Sequence, residues 1–279
     1  MPPTGVTNEA RVDYGIDAPG VVRNVALFGL FGIALTALGW AMPGAVGASI
    51  FITGVLMMVI GFGETAWMLY GSRRGKLHLR EKLLDLVALQ PSDQVLDVGC
   101  GRGLLLNGAA RRLSGGKATG LDIWQKQDQS GNDPAVTLAN AKAEGVEGRV
   151  EVRDGDMRQM PFPDASFDAV VSSLAIHNVP DATGREQAIR EIARVVRPGG
   201  RVALLDFIHV ARHANQLREL GWQDVKVSGL QFAVCPPARI VSATKPLNSG
   251  STDWSTRSLL ALCDRRPNRI NPIRGRTAP

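Results

Sequence analysis

Two long apolar runs stand at the front of the chain, and a shorter alternation of apolar segments fills most of the rest. Val25 to Met42 contains no charged residue, Pro43-Gly44 interrupts it, and Ala45 to Tyr70 resumes with Glu64 as its only charge. Each run is about 20 residues or more, which at ~1.5 Å rise per residue covers a hydrocarbon core of ~30 Å. Trp40 closes the first run, and Trp67 and Tyr70 close the second, where interfacial aromatics belong. Gly29, Gly32, Gly39, Gly47, Gly54 and Gly61 permit close approach of two antiparallel helices. The pattern predicts a transmembrane hairpin over residues 22–70, following a flexible N-terminal tail over 1–21. A buried hairpin of a soluble protein is the alternative, but consecutive charge-free runs of this length are rare in soluble folds.

Beyond the hairpin the period changes. Leu77 to Leu89 is patterned as an amphipathic helix, and Pro91-Ser92-Asp93 breaks it. Strands follow at 94–98, 117–122, 149–153, 168–173 and 201–206, with a closing pair near 223–227 and 238–244. Helices at 103–113, around 134–144, 184–196 and 211–220 separate them. Arg197-Pro198-Gly199-Gly200 reads as a helix stop with a tight turn. Seven strands with intervening helices predict a Rossmann-like, doubly wound α/β sheet, here over residues 71–246, preceded by the two transmembrane helices. Residues 247–279 open on a linker composition, and their arginines outnumber their acids, so a basic, disordered tail is expected.

Charge sharpens this picture. The 279 residues carry a net charge of +6, which suits either nucleic acid or an anionic membrane surface. Arg73, Arg74, Lys76, Arg80 and Lys82 crowd the exit of the second span, while the inter-span turn has no Lys or Arg. That bias places a two-span protein with both termini, and the α/β domain, on the cytoplasmic side. The basic residues form no aromatic-interleaved face, so a nucleic-acid partner ranks low. Cys100, Cys235 and Cys263 are far apart and include no C-x-x-C, so neither a disulfide framework nor a zinc site is expected.

The candidate chemistry begins at Val95-Leu96-Asp97-Val98-Gly99-Cys100-Gly101-Arg102-Gly103, an apolar strand running into a glycine turn. Glycines there let backbone approach a ligand, and an acid inside the strand end suits a cationic group better than a pyrophosphate. Asp122 ends the second strand about 20 residues on, where a carboxylate can accept from both ribose hydroxyls of an adenosine ligand. Ile123 and Trp124 follow it, and the indole is expected on the adenine or ribose. His177, in Leu174-Ala175-Ile176-His177-Asn178 after the fourth strand, falls where an acceptor would meet its reaction partner. Its imidazole is the candidate general base. The polar run Gln125 to Asn132 either covers part of the ligand or is a solvated loop.

The acid followed by G-x-G-x-G resembles the first motif of the class I S-adenosylmethionine-dependent methyltransferases. The run Pro161-Phe162-Pro163-Asp164-Ala165-Ser166-Phe167-Asp168 resembles the small-molecule members, the ubiquinone and menaquinone group included, and Arg197-Pro198-Gly199-Gly200 is a further family mark. The resemblance covers roughly residues 76–246. It implies S-adenosylmethionine as cofactor, with Asp97, Gly99, Gly101 and Gly103 at the methionine end, Asp122 on the ribose, Asp156 and Met157 at the adenine, and Leu174 beside the ligand. It also implies a last strand inserted antiparallel and direct displacement of the methyl group. Arg102 is a candidate partner of the cofactor carboxylate. The tether suggests an apolar or amphipathic acceptor, whereas the residues leave the acceptor atom and the oligomeric state open. A nicotinamide-dependent oxidoreductase and a non-catalytic binding module are the rival readings, and Asp97 before the glycines argues against the first.

Overall fold

The computed structural model describes residues 12–125 and 131–247, so the tail beyond 247 and the centre of the polar run at 126–130 lie outside the described residues. The N-terminal pattern forms two helices, α1 (Pro19–Ala41) and α2 (Gly44–Tyr70), both long and apolar enough to cross a membrane. Their buried positions are mostly glycines: Gly29, Gly32 and Gly39 on α1 face Gly47, Gly54 and Gly61 on α2. A Cβ on Gly32 would stand 2.5 Å from the Met58 nitrogen, and one on Gly54 would stand 2.4 Å from the Thr36 nitrogen. The two backbones therefore touch, which is the packing available where dispersion rather than water drives helices together. Outward, Leu27, Phe31, Ile52, Leu56 and Val59 are all exposed. An apolar surface of that extent marks a contact with something other than water.

The expected boundary after residue 70 is not a break. Gly71–Gly75 forms a π turn that carries α2 directly into α3 (Lys76–Leu86). Neither proline nor a capping side chain stands there to end the helix, and a π bulge accommodates the extra residue within the ladder. The expected loose tail is also ordered over residues 12–18. Tyr14 is buried, and its hydroxyl donates to Glu144 Oε1 at 2.5 Å. Lys76 Nζ donates to the carbonyls of Tyr14 and Gly15 at 2.8 Å each. A segment without internal periodicity is held here because side chains from distant elements satisfy its backbone.

The sheet follows the predicted elements. Its strands are β1 (Gln94–Val98), β2 (Lys117–Asp122), β3 (Val150–Asp154), β4 (Phe167–Ser173), β5 (Val196–Asp206), β6 (Gln223–Val227) and β7 (Arg239–Thr244), in the order β3-β2-β1-β4-β5-β7-β6. The first five are parallel, and β7 inserts antiparallel between β5 and β6, as the resemblance implied. Helices α4 (Leu104–Arg112), α5 (Pro134–Ala143), α6 (Ala182–Val195) and α7 (Val210–Glu219) cover the two faces. Alternate residues of β1 divide between the cores: Val95 packs with Leu83 and Leu106, while Leu96 and Val98 pack with Ile189 and Leu217. Burial on both faces is why these strands read as apolar runs.

The run Arg197-Pro198-Gly199-Gly200 departs from its expected tight turn. It belongs to β5, whose pairing jumps from Phe167–Val196 to Ala169–Arg201. Gly199 donates its N–H to the Lys245 carbonyl at 2.9 Å, and Lys245 donates back to Gly200 at 2.8 Å. The proline and glycines are absorbed as a bulge at the strand's entry, where a missing N–H is tolerated.

Candidate active site

Parallel strands deliver their carboxyl ends to one edge of the sheet, and a cavity of about 520 Å³ opens there. That volume falls within the ~300–1,000 Å³ typical of small-molecule sites. Asp97, Gly99 and Gly101 from the β1 end, and Asp122 and Ile123 from the β2 end, line it. Asp156 and Met157 beyond β3, and Leu174 and His177 beyond β4, complete the set of predicted residues in its wall.

The glycine turn is shaped by two requirements. Gly99 has φ +71°, and a Cβ there would lie 2.3 Å from the Ala175 Cβ, so no side chain fits. Gly103, at φ +84°, is the residue before α4, and a Cβ on it would meet the Thr137 side chain at 2.9 Å. It lets α5 close on α4 and lies just beyond the cavity-lining residues of the turn.

Asp97 is 2% exposed, and its Oδ2 accepts the Leu106 N–H at 2.9 Å in the first turn of α4. Burial pushes its carboxyl up to about 8, the nearby Asp122 charge adds to that, and the Leu106 N–H opposes it. A carboxyl so deprived of water is poised for a cationic partner. Asp122 is organised differently. Its Oδ2 accepts the Gly101 N–H at 2.8 Å, and its Oδ1 accepts the Trp124 N–H at 2.7 Å. Asn132 Nδ2 approaches the same Oδ1 at 3.3 Å, while Asn132 Oδ1 is buried with no partner among the described residues. An unsatisfied acceptor beside a carboxylate suits a ligand bearing hydroxyl groups.

Trp124, expected on the adenine or ribose, has its indole engaged beside β3. Its backbone takes φ +58°, and its indole N–H donates to Asp154 at the end of β3. Ile123, half exposed, supplies the apolar wall instead. Asp156 lines the cavity but is held by Arg158, whose Nη2 stands 2.6 Å from Oδ2. That guanidinium draws its carboxyl below the usual range. Arg102 donates through Nε and Nη2 to the carbonyl and carboxylate of Asp13, tying the N-terminal strap to the glycine turn.

At the acceptor side, Leu174 takes φ +53° and bends the chain from β4 into a short turn, Ile176–Asn178. That turn carries His177 to Asp206, the last residue of β5. Asp206 is 2% exposed. Its Oδ2 accepts the His177 backbone N–H at 3.1 Å, and its Oδ1 lies 2.9 Å from His177 Nδ1. The ring meets the carboxylate obliquely, so this second contact has the distance of an ion pair without the alignment of a hydrogen bond. Phe207 packs on the other side of the imidazole, with centroids 4.4 Å apart. Asp206 was not singled out in the sequence. The available signal was an acid ending a buried strand, the same signal that marked Asp122.

Comparison with known proteins agrees with this geometry. Residues 96–204 match the family described as "Methyltransferase domain". The 27-O-demethylrifamycin SV methyltransferase of Amycolatopsis mediterranei (strain S699) is 38% identical over 160 residues, covering 54% of this chain and 54% of that protein. The demethylmenaquinone methyltransferase of Lactobacillus johnsonii (strain CNCM I-12250 / La1 / NCC 533) is 31% identical over 147 residues, covering 52% of this chain and 54% of that protein. The chain thus spans about half the length of these relatives. Among solved structures, the [4+2]-cyclase SpnF superposes with a TM-score of 0.50 at 21% identity, over 61% of this chain and 82% of that one, a likeness of fold. An acid and glycine turn at the end of β1, a carboxylate at the end of β2 and an acid loop after β3 thus surround one cavity, within the stretch that matches the methyltransferase-domain family.

Proposed function

We propose that this protein is a membrane-anchored enzyme that moves a methyl group from S-adenosylmethionine to a small, apolar or amphipathic acceptor on the cytoplasmic side. The observation that carries the reading is that His177, backed by the buried Asp206, lines the same cavity as Asp97, Asp122 and Asp156. The relatives are named for 27-O-demethylrifamycin SV and for demethylmenaquinone, which supports a small-molecule acceptor here. Exposed apolar side chains along α1 and α2, and the basic flank at Arg73, Arg74 and Lys76, support anchoring with the domain inside.

When bound, S-adenosylmethionine supplies a methyl group already activated on a positively charged sulfur. The chain's own residues hold and align it. Asp97 and the Gly99–Gly101 backbone would hold the methionine end, Asp122 and Asn132 the ribose, and Asp156 with Met157 the adenine. His177 would take the proton of the acceptor nucleophile at Nε2, while Asp97, Asp122 and Asp156 would hold the group that supplies the methyl. Asp206 then faces the imidazolium through Nδ1 until the proton passes to solvent. Alignment of this kind is worth ~7–11 kcal/mol of barrier.

Since the fold is shared with a protein described as a cyclase, turnover decides the matter. Metabolite extracts from a deletion strain should contain a species one methyl group lighter than its wild-type counterpart. The purified full-length protein should methylate that species with stoichiometric formation of S-adenosylhomocysteine. Cofactor binding without any such turnover would leave a binding module in place of an enzyme.

A further inference from the structure

The cavity does not end at the cofactor residues. Its wall continues through Ala18 and Val21 at the start of α1, Met68 in the last turn of α2, and Cys235 and Pro236 in the loop before β7. All five side chains are uncharged and small or apolar. Of the charged residues beside this wall, Lys76 and Asp17 are paired with one another at 3.2 Å, and Glu64 lies close enough to Cys235 to push its thiol up, after the larger effect of burial. Lys76 Nζ directs further bonds to the Tyr14 and Gly15 carbonyls. The hairpin thus contributes part of the chamber in which His177 sits.

The loop that completes this wall is fixed against the foot of the hairpin. Trp67 Nε1 donates to the Phe232 carbonyl at 2.9 Å, and the two rings stack with centroids 6.4 Å apart. Gly75 lies so close to the loop that a Cβ would stand 1.6 Å from the Ala233 oxygen. Around this junction, Val21, Leu230 and Phe232 remain exposed to the outside. The same foot is where the apolar surface of α1 and α2 ends, so an apolar rim joins that surface to the cavity mouth.

We infer that the arm of the cavity walled by Ala18, Val21, Met68, Cys235 and Pro236 holds the hydrocarbon chain of the methyl acceptor, a long-chain lipid that enters from the bilayer at the foot of the hairpin. The hairpin is then a wall of the acceptor site as well as an anchor. This inference rests on the methyl-transfer reading for the name of its occupant, whereas the arm itself is a matter of geometry. A hydroxyl or comparable nucleophile at the head of such a lipid arrives at His177 while the chain trails toward the membrane.

Cys235 supplies a native reporter, since it lines the arm and is partly accessible. Full-length protein in dioleoylphosphatidylcholine nanodiscs is labelled with N-ethylmaleimide, and modification of the Cys235 peptide is followed by mass spectrometry. At equal total concentration, octadecanol should slow labelling by about tenfold and hexanol by less than about twofold, because each buried methylene adds to occupancy. Met68→Trp, which fills the arm, should slow labelling on its own and remove the alcohol dependence. It should leave S-adenosylmethionine affinity, measured by calorimetry, unchanged. Labelling that ignores both alcohols, or a variant whose response matches the wild type, overturns the arm. Protection by octadecanol in a protein that binds no S-adenosylmethionine supports the arm and removes the methyl-transfer reading instead.

Discussion

Asp206 meets His177 at two points, accepting its backbone N–H through Oδ2 at 3.1 Å and facing Nδ1 through Oδ1 at 2.9 Å. One carboxylate therefore fixes the position of the turn and places its charge beside the ring. If Asp206 acts through the imidazole, Asp206→Asn should lower kcat by ~10²-fold or more with cofactor affinity unchanged, the scale on which general bases act. His177→Ala should lose as much, and the double variant little more, because the pair works as a unit. Additive losses in the double variant would separate the two residues.

Asp122 gives the second expectation. Its carboxylate organises the Gly101 and Trp124 backbone and is approached by Asn132 Nδ2, whose amide oxygen has no partner among the described residues. Asp122→Ala should weaken S-adenosylmethionine binding by about 1.5–3 kcal/mol, the range for hydrogen bonds to a charged group. Calorimetry on a variant whose circular dichroism matches the wild type reads this directly, and equal affinity removes the ribose assignment.

A third concerns protons. With its carboxyl pushed up to about 8 by burial, Asp97 favours its protonated form at neutral pH. A cationic ligand favours the carboxylate, so binding at pH 7 should release a proton. Affinity should then climb as pH rises toward 8 and level off above it. Calorimetry in buffers of different ionisation enthalpy measures the release. Asp97→Asn should abolish it, and a wild type that releases no proton contradicts the role given to this acid.

The hairpin provides the fourth. Gly54→Leu would drive a side chain into the Thr36 backbone, whose nitrogen lies 2.4 Å from even the first added carbon. A contact that tight requires α1 and α2 to part, so the variant should lose hairpin stability and expose its loops to protease in proteoliposomes. The wild type should stay in the membrane fraction after a carbonate wash, whereas recovery in the soluble fraction argues against spanning.

Most of the architecture could be read along the chain because buried parallel strands are apolar without alternation, and acids punctuate their ends. Val95 to Val98 is the plainest instance. What escaped was fixed by contacts across the fold. Asp206 matters through His177, 29 residues earlier, and only the parallel pairing of β4 with β5 brings the two ends together. Trp124 sits beside Asp122 in sequence, yet a positive φ sends its indole to Asp154 and leaves Ile123 facing the cavity. The strap at residues 12–18 has no pattern of its own, because its order is supplied by Lys76, Arg102 and Asn140 from elsewhere.

The unbroken passage from α2 through Gly71–Gly75 into α3 makes the methyltransferase domain a pointer on a helical shaft. Each residue of such a shaft advances ~1.5 Å and turns ~100°. The compass bearing of the cavity mouth about the hairpin axis is thus written in the number of residues between Tyr70 and Lys76 as well as in the close contact at Gly75. One residue inserted there would swing the mouth by about 100°, away from Val21 on the hairpin, whereas four would bring it back to within about 40°. Length in this segment is therefore under a constraint that composition does not reveal.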